Sequence, residues 1–313
     1  MRGLQRVARG TGLVGLGPLR WRVARAAGWV WRFQHLRLSA WLHGERETPM
    51  VLRRRFAGAL LQLDLSRSAT HRLLYLQGER FVAERRLLRS LLRPGMVAVD
   101  VGANIGYTAL LLRRAVGPRG QIVCFEPEPA NLRELRASVA ASGFTNVRIV
   151  EAAVGDEDGD VRFALGLNGH VVASPGPQQS VSVPLYRLDT VLDGRVDVLK
   201  IDVEGYEGHV LDGAASLIER WRPALFVEVH PAFLTSRYTL RDVMRALTSR
   251  YQDVRCYAPV RVGSAAPRMQ PWRELWYRYL HTVPVQSIRA DPSSLEARAA
   301  LGEAGTFWAV GRS

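Results

Sequence analysis

Acidic side chains and one histidine follow several short apolar segments of this chain, and these residue types could bind a cationic ligand or move a proton. They are Asp100 with Gly102, Glu126, the segment from Glu151 to Gly155, Asp202 with Glu204, and Glu228 with His230. If the apolar segments are parallel strands, their carboxyl ends meet at one edge of a sheet, where open α/β proteins bind ligands. A single acid after a strand needs no function, but several acidic strand ends at one edge predict a site.

The segment V-A-V-D-V-G-A-N-I-G, from Val97 to Gly106, predicts the ligand-binding turn of this site. Its apolar first half is typical of a buried parallel strand, and its glycines let backbone N–H groups approach a ligand closely. It lacks the middle glycine of a dinucleotide-binding turn, and Asp100 lies two residues before Gly102. This difference favours a ligand with its own positive charge, such as S-adenosylmethionine. Taken alone, the motif also fits an ordinary strand-turn-helix of an α/β protein.

The apolar segments alternate with helix-length segments from Val97 onward, and this alternation predicts parallel βαβ units. We expect strands at 97–101, 121–125, 147–150 continuing to 154, 196–201, 224–229, 254–257 and 307–310, and helices at 107–116, 129–141, 206–221 and 240–250. An insertion between the third and fourth strands has strand-like runs at 161–165 and 181–185. The Gly-, Pro- and Asn-rich segment between these runs predicts a mobile loop.

The net charge of +14 comes from the first third of the chain, and it divides the sequence into regions. Residues 1–93 contain 19 Arg and five acids, whereas residues 94–313 contain 23 Arg, one Lys and 24 acids and are therefore neutral. We predict a basic Arg- and Trp-rich leader at 1–49, an N-terminal subdomain at 50–93 packed on the core, and an S-adenosylmethionine-binding domain at 94–313. Two short strands and a helix from Gly78 to Leu92 are expected in the subdomain.

The leader is typical of contact with an anionic membrane surface, because residues 1–44 contain eight Arg, four Trp and no acid. Arg side chains interrupt every apolar run, so neither a signal peptide nor a transmembrane helix is predicted. The apolar residues between Arg22 and Leu42 fall on all sides of a helical wheel, which weakens the membrane interpretation. A nucleic-acid partner and an extension without a specific partner are the alternatives.

Cysteine content bears on the compartment. The chain has two cysteines, Cys124 and Cys256, which are too few for a disulfide framework. We therefore predict a cytoplasmic protein, with peripheral membrane contact through residues 1–44 as an open alternative.

Five motifs, in this order, resemble those of the FkbM family of S-adenosylmethionine-dependent methyltransferases. They are D-V-G-A-N-I-G from Asp100, F-E-P from Phe125, A-V-G-D from Ala153, L-K-I-D-V-E-G-Y-E from Leu199, and V-E-V-H-P from Val227. The resemblance covers about 94–232 and is weaker in the helix before this range and the strands after it. It implies the α/β class I methyltransferase (Rossmann-like) fold, which has a seven-stranded, mostly parallel sheet with an antiparallel last strand and helices on both faces.

The resemblance also implies methyl transfer, usually to an oxygen of a sugar, a polyketide or another secondary metabolite, so the expected acceptor is a small molecule or a glycan. The residues that it assigns to S-adenosylmethionine are Asp100, Gly102, Asn104 and Gly106 at the methionine moiety and the turn, Glu126 at the ribose, and the segment with Val154 and Asp156 beside adenine. A carboxylate at the end of the second strand can accept hydrogen bonds from both ribose hydroxyls.

A hydroxyl acceptor must lose a proton as it attacks the sulfonium methyl, and either a base or a metal ion serves this step. The candidates are Asp202, Glu204, Glu228 and His230. Acids and a histidine from neighbouring strand ends could ligate Mg²⁺ or Mn²⁺. Hydrogen bonding to substrate hydroxyls without a metal is the interpretation that we slightly favour.

Lys200 is the one lysine among 43 basic residues, and it lies on the strand that ends at Asp202. Where Arg and Lys are exchangeable this chain uses Arg, so a retained Lys suggests that Arg is not tolerated there. The two-residue period of a strand places Lys200 on the same face as Asp202 and Glu204. Its ammonium could neutralise those acids, or it could lose its proton and act as the general base. Chance is the alternative.

Two other functions fit parts of the sequence. An RNA methyltransferase could use the basic leader, but the chain lacks the N/D-P-P-Y motif of base-modifying enzymes and its core carries no net charge. A non-catalytic, membrane-tethered scaffold that binds the cofactor is the other alternative. The complete set of acids and His230 argue against it.

Overall fold

The computed structural model describes residues 50–56, 58–67, 71–72, 74–75, 82–166, 169–171, 179–259, 285–288 and 306–312. The leader at 1–49, the first residues of the helix expected from Gly78 and much of the loop expected to be mobile lie outside these ranges. The membrane contact predicted for residues 1–44 therefore stays a prediction. Within the described part of the chain, no helix is both long enough and apolar enough to cross a membrane.

The elements follow the predicted alternation. The strands are β1 (Val51–Phe56), β2 (Ala59–Asp64), β3 (Val97–Val101), β4 (Gln121–Phe125), β5 (Val147–Val150), β6 (Ala153–Val154), β7 (Gly159–Ala164), β8 (His170–Val171), β9 (Ser180–Tyr186), β10 (Val198–Ile201), β11 (Ala224–Val229), β12 (Asp253–Pro259), β13 (Val285–Ile288) and β14 (Phe307–Arg312). The helices are α1 (Val82–Leu91), α2 (Tyr107–Val116), α3 (Pro129–Ala141), α4 (Leu188–Val191), α5 (Glu207–Gly213), α6 (Ala215–Trp221) and α7 (Leu240–Thr248).

The central sheet has the strand order β13-β12-β14-β11-β10-β3-β4-β5. The run from β11 to β5 is parallel, and β14 is antiparallel to both β11 and β12. The seven predicted strands and the antiparallel last strand are thus confirmed, and β13 adds an edge strand that the sequence analysis did not predict. This is the sheet of the class I methyltransferase fold.

Helices cover both faces of the sheet, as predicted. On one face, Val99 and Ile201 pack with Val210 of α5 and Val243 of α7. On the other face, the core contains residues of α1, α2 and α3 together with Ala98 of β3. The strands in the middle of the sheet are buried on both sides, which explains their continuous apolar sequences.

Two expected boundaries were wrong. The strand expected to continue from Val147 to Val154 ends at Val150, and residues 153–154 pair instead with β9 in a second sheet of order β6-β9-β7-β8. The single helix expected at 206–221 is interrupted at Ala214, which leaves α5 and α6. Gly213, beside the break, packs so tightly that a Cβ there would overlap the carbonyl oxygen of Gly155.

The hairpin of β1 and β2 packs on α3. The hydroxyl oxygens of Ser138 and Ser142 accept hydrogen bonds from the backbone N–H groups of Gln62 and Leu60, at 3.0 and 2.9 Å. Leu61 and Leu63 are buried with residues of α2 in a third apolar cluster. These contacts fix the chain that follows β2 next to the N-terminus of α3.

Candidate active site

The turn after β3 is shaped by close packing against neighbouring elements. Gly102 has φ of +78°, and a Cβ there would overlap the carbonyl oxygen of Asp202 at the end of β10. Gly106, with φ of +92°, caps α2 and packs against Leu135 of α3. Both positions require glycine, since a side chain would meet backbone or a packed leucine in a conformation that favours glycine. The turn therefore lies directly against the end of β10.

A cavity of about 80 Å³ opens beside this turn. Four of the residues predicted to bind the cofactor line it, namely Gly102, Asn104, Glu126 and Val154. Asp202 and Glu204 line the same cavity, and Phe125 and Tyr206 supply aromatic surface. The turn, the end of β4, β6 and the end of β10 thus converge on one cavity, as their strand order predicts.

Glu126 is held by neutral hydrogen-bond donors. Its Oε2 accepts from the backbone N–H of Asn104 at 2.7 Å, and its Oε1 accepts from the backbone N–H of Glu128 and from the Asn131 amide at 3.0 and 3.1 Å. Burial raises the pKa of Glu126 to about 7, although these hydrogen bonds oppose the shift. A buried carboxylate held by neutral donors is suited to accept further hydrogen bonds from ligand hydroxyls.

Two of the predicted cofactor residues contact basic side chains of the protein. Asp100 is completely buried, and its Oδ1 lies 2.9 Å from Nζ of Lys200. Asp156 pairs with His209 at 2.7 Å and with Arg237 at 2.6 Å. The protein itself therefore supplies a partner for each of these two carboxylates. Contact of Asp100 with the ligand, and the position of the segment with Asp156 beside adenine, stay predictions.

Lys200 joins the end of β3 to the end of β10. Lys200 and Asp100 are register partners on these two strands, and the Lys200 ammonium also donates to the carbonyl oxygen of Gly102 at 2.9 Å. Asp202 lies 3.6 Å from the same ammonium. Burial would lower the pKa of Lys200, but the charges of Asp100 and Asp202 raise it above its ordinary value. A lysine held in its charged form does not act as a general base, so that alternative is disfavoured. The sequence suggested Asp202 and Glu204 as the partners of Lys200; Asp202 is near it, but the nearest acid is Asp100.

The predicted acids and His230 do come together. Nε2 of the buried His230 lies 3.5 Å from Glu204, 3.9 Å from Asp202 and 3.9 Å from Glu228. Nδ1 lies 2.8 Å from Oε1 of Glu207. Burial would lower the pKa of His230, but its hydrogen bond to Glu207 and the neighbouring acids raise it to about 9.

Glu207 is a residue that the sequence analysis missed. It is completely buried, and its Oε1 also accepts a hydrogen bond from the backbone N–H of Gly205 at 3.1 Å. The signal for it was present, because Glu207 follows Glu204 by three residues, which places both on one side of a helical turn. Its partner His230 lies 23 residues further along the chain, so this spacing alone did not assign Glu207 to the site.

A divalent ion could occupy part of this cluster. Asp202, Glu228 and His230 each offer one ligand atom, and these atoms lie within 4.8 Å of one another. Carboxylate oxygens and an imidazole nitrogen suit several divalent ions, but a ligating imidazole must be neutral. The surrounding carboxylates favour the imidazolium instead. The metal stays a prediction that was not favoured from the sequence.

Comparison with known proteins identifies the domain. A family model described as "Methyltransferase FkbM domain" matches residues 100–254. The "31-O-demethyl-FK506 methyltransferase FkbM" of Streptomyces tacrolimicus is 31% identical over 159 residues, which cover 39% of this chain and 60% of that protein. "Methyltransferase sdnD" of Sordaria araneosa is 27% identical over 173 residues, which cover 40% of this chain and 66% of that protein. The chain thus matches less than two thirds of the length of either relative.

Among solved structures, a methyltransferase FkbM from Methylobacillus flagellatus KT aligns with a TM-score of 0.39 and 17% identity, covering 59% of this chain and 48% of that one. An S-adenosylmethionine-dependent O-methyltransferase from Thermotoga maritima aligns with a TM-score of 0.41 and 12% identity, covering 83% of this chain and 77% of that one. The family match includes the turn at Gly102, the Glu126 network and the His230 cluster. Through residues 100–254, the chain matches the FkbM methyltransferase domain family.

Proposed function

We propose that this protein is an S-adenosylmethionine-dependent methyltransferase that methylates a hydroxyl oxygen of a small molecule or glycan. The observation that carries the proposal is the position of Asp202 and Glu204. Both line the cavity that contains Glu126, and both lie within 4 Å of Nε2 of His230. A cofactor site and a group that can take a proton therefore share one edge of the sheet.

The residues of the cavity fit S-adenosylmethionine. Glu126 offers a carboxylate to the ribose hydroxyls, and the turn at Gly102 is too tightly packed for any side chain, so its backbone can lie close to the methionine moiety. Val154 and Tyr206 provide apolar and aromatic surface for adenine. When bound, the cofactor supplies an electrophilic methyl group on a sulfonium.

His230 is the candidate to take the proton of the acceptor hydroxyl at Nε2. Glu207 accepts from Nδ1 and so fixes both the orientation of the ring and the position of its proton. Because the carboxylates around His230 keep it mostly protonated at neutral pH, proton transfer to it is expected to be faster in alkaline solution. Lys200 donates a hydrogen bond to the carbonyl oxygen of Gly102 and neutralises Asp100. It is therefore a positioning residue in this scheme.

The names of the relatives support oxygen as the acceptor atom. One of them is named as a methyltransferase of 31-O-demethyl-FK506, a name that describes methylation of an oxygen. It matches this chain over only 60% of its own length, so the acceptor of the present protein must be established separately.

Transfer of a labelled methyl group tests the proposal. Full-length protein is incubated with methyl-labelled S-adenosylmethionine and an extract of the source organism, and the products are separated into lipid, glycan, small-molecule and RNA pools. We expect label in the small-molecule or glycan pool with wild-type protein and none above background with His230→Ala. Label confined to RNA, or absence of S-adenosylhomocysteine binding by calorimetry, would contradict the proposal.

A further inference from the structure

A second and larger cavity, of about 570 Å³, lies beside the cofactor cavity. The residues that line both cavities are Gly102, Asn104, Asn131, Asp202 and Glu204. Lys200 also lines the second cavity. A molecule bound there would face the turn at Gly102 and the end of β10, where the reacting methyl group is expected under the proposed function.

The outer wall of this cavity comes from outside the family domain. Arg67, His71 and Leu74 line it, and they lie before the range 100–254 that defines the family. Leu165 and Gln179, on either side of the loop between β7 and β9, line another part. The described residues that line the cofactor cavity, by contrast, all lie within 100–254. The two cavities therefore differ in how much of their wall lies outside the range that matches the family model.

The outer wall is fixed to α3 by ion pairs. Arg67 contacts Glu134 at 2.6 Å and Glu128 at 2.9 Å, and His71 contacts Glu134 at 3.2 Å. These carboxylates are nearly inaccessible to solvent, while Arg67 is partly exposed. Glu128 also accepts a hydrogen bond from Asn131, which in turn donates to Glu126. The wall of the second cavity is thus connected to the carboxylate of the cofactor site.

The charges on the lining indicate what can bind. Each of the three basic side chains on the described part of the lining, Arg67, His71 and Lys200, already contacts at least one carboxylate. The acids on the lining are Glu128, Asp202 and Glu204. An anionic molecule would lose its hydration without gaining an uncommitted cation on the described part of the lining. A cationic molecule would likewise gain no uncommitted acid there, because Glu128 contacts Arg67, Asp202 lies near Lys200, and Glu204 lies near His230. Hydroxyl groups, in contrast, can donate to the acids and to the Asn104, Asn131 and Gln179 amides.

Part of the lining is apolar. Leu74, Ile105, Leu165 and Ala103 are among its residues. An apolar surface with a few polar groups at one end is typical of a site for a small organic molecule.

We propose that the second cavity binds the methyl acceptor, and that this acceptor is an uncharged small molecule with hydroxyl groups at one end and apolar surface at the other. The inference rests on the proposed function, because it takes the reaction to occur at the end of β10. It places part of the selection of the acceptor in the segment before residue 100, which lies outside the range that matches the family model.

A bulky substitution inside the cavity tests the location. Ala130, in the first turn of α3, is half-buried and lines the second cavity, so Ala130→Trp should fill it without removing a contact. Ala140→Trp, at an exposed position in the last turn of the same helix, is the matched control. We expect Ala130→Trp to reduce kcat/KM for labelled methyl transfer at least tenfold, with S-adenosylhomocysteine affinity within twofold of wild type. The control should match wild type in both measurements.

Normal transfer by Ala130→Trp would overturn the location while leaving the proposed function intact. Absence of transfer by the wild-type protein would instead contradict the proposed function, and this inference would fall with it. If Ala130→Trp does not bind S-adenosylhomocysteine, Gln179→Trp replaces it, because Gln179 is exposed and lines the same cavity from the segment just before β9. Normal transfer by that variant would overturn the location equally.

Ion exchange tests the class of acceptor. The extract is separated at neutral pH into anionic, cationic and unretained pools before the labelled reaction, and each pool is assayed with wild-type protein. We expect the label in a small-molecule product from the unretained pool. Label confined to the anionic or the cationic pool would overturn the inference that the acceptor is uncharged, and the effect of Ala130→Trp would still report on the location.

Discussion

The two ends of the candidate active site use opposite electrostatics. At the cofactor end, the Glu126 carboxylate is surrounded by neutral donors from Asn104, Glu128 and Asn131. At the reaction end, the His230 imidazole is surrounded by carboxylates, with Glu207 the nearest. Burial raises the pKa of Glu126 to about 7, and the acids raise that of His230 to about 9.

The difference shows how one sheet edge can serve two tasks. A carboxylate held by neutral donors favours hydroxyl ligands, which donate hydrogen bonds without bringing a charge. An imidazole held by carboxylates is kept in one orientation and binds a proton strongly. Lys200 on β10 and Asp100 on β3 lie between the two ends of the site, and their ion pair joins these two strands. Each end can therefore be perturbed separately, and the variants below test that separation.

The largest expected effect is at the reaction end. His230→Ala removes the proposed base, and general acid–base catalysis typically contributes about 10²- to 10⁴-fold, so we expect kcat to fall by roughly that factor. Affinity for S-adenosylhomocysteine should stay within twofold, because His230 contacts the acids and not Glu126. Single-turnover rates and calorimetry measure the two quantities. Equal losses in both would show that the two ends are not separable.

Among these variants, the one that removes the Lys200 ammonium between the two ends should lower the free energy of unfolding most. Lys200→Met leaves Asp100 buried without its cation, and breaking such a pair costs about 3–5 kcal/mol. The double variant Lys200→Met/Asp100→Asn should recover much of this loss, since the uncompensated charge is gone. Urea unfolding of both variants gives the free energies. A double variant less stable than the single one would contradict the pairing.

Lys200→Arg tests the unusual choice of lysine. The larger guanidinium must fit a fully buried space between Asp100 and the Gly102 carbonyl, and overpacking of this kind costs about 1–3 kcal/mol. We expect its turnover to be nearly as low as that of Lys200→Ala, with circular dichroism and thermal unfolding as controls for folding. Turnover near the wild-type value in Lys200→Arg would show that a positive charge alone is sufficient.

At the cofactor end we expect a dependence on pH. Hydroxyl ligands favour ionised Glu126, whose pKa is raised to about 7 by burial, so S-adenosylhomocysteine affinity should rise as the pH rises through that value. The ionised fraction changes about tenfold between pH 6 and 8, which sets the expected gain in affinity. Calorimetric titrations of wild type and Glu126→Gln at both pH values measure it, and the variant corrects for titration of the ligand. An equal pH dependence in Glu126→Gln would exclude Glu126 as the cause.

The smallest expected effect is that of chelation. If the carboxylates around His230 are balanced by its proton and not by a metal ion, transfer should change by less than twofold after dialysis against EDTA. Assays with and without added Mg²⁺ or Mn²⁺ complete the test. Loss of activity on chelation and its return with one of these ions would establish the metal alternative.

The sequence alone predicted the parts of this protein that depend on local pattern. Apolar segments located the strands of the central sheet, and the glycines marked the turn after β3. Because parallel strands end at one edge, the acids at 126, 202, 204 and 228 and the histidine at 230 could be placed together before any distances were known.

Only the tertiary structure decided which cation each buried acid faces. Lys200 reaches the carbonyl of Gly102 across 98 residues of sequence, and its pairing with Asp100 depends on the register of two strands that no local pattern determines. His209 pairs with Asp156 for the same reason, because the turn that contains Asp156 and the helix α5 that contains His209 are far apart in the sequence and meet only in the fold. Glu207 was not among the predicted site residues, and only the fold places His230 beside it. The energy of a buried charge depends on its nearest partner, and that partner is set by packing between distant segments.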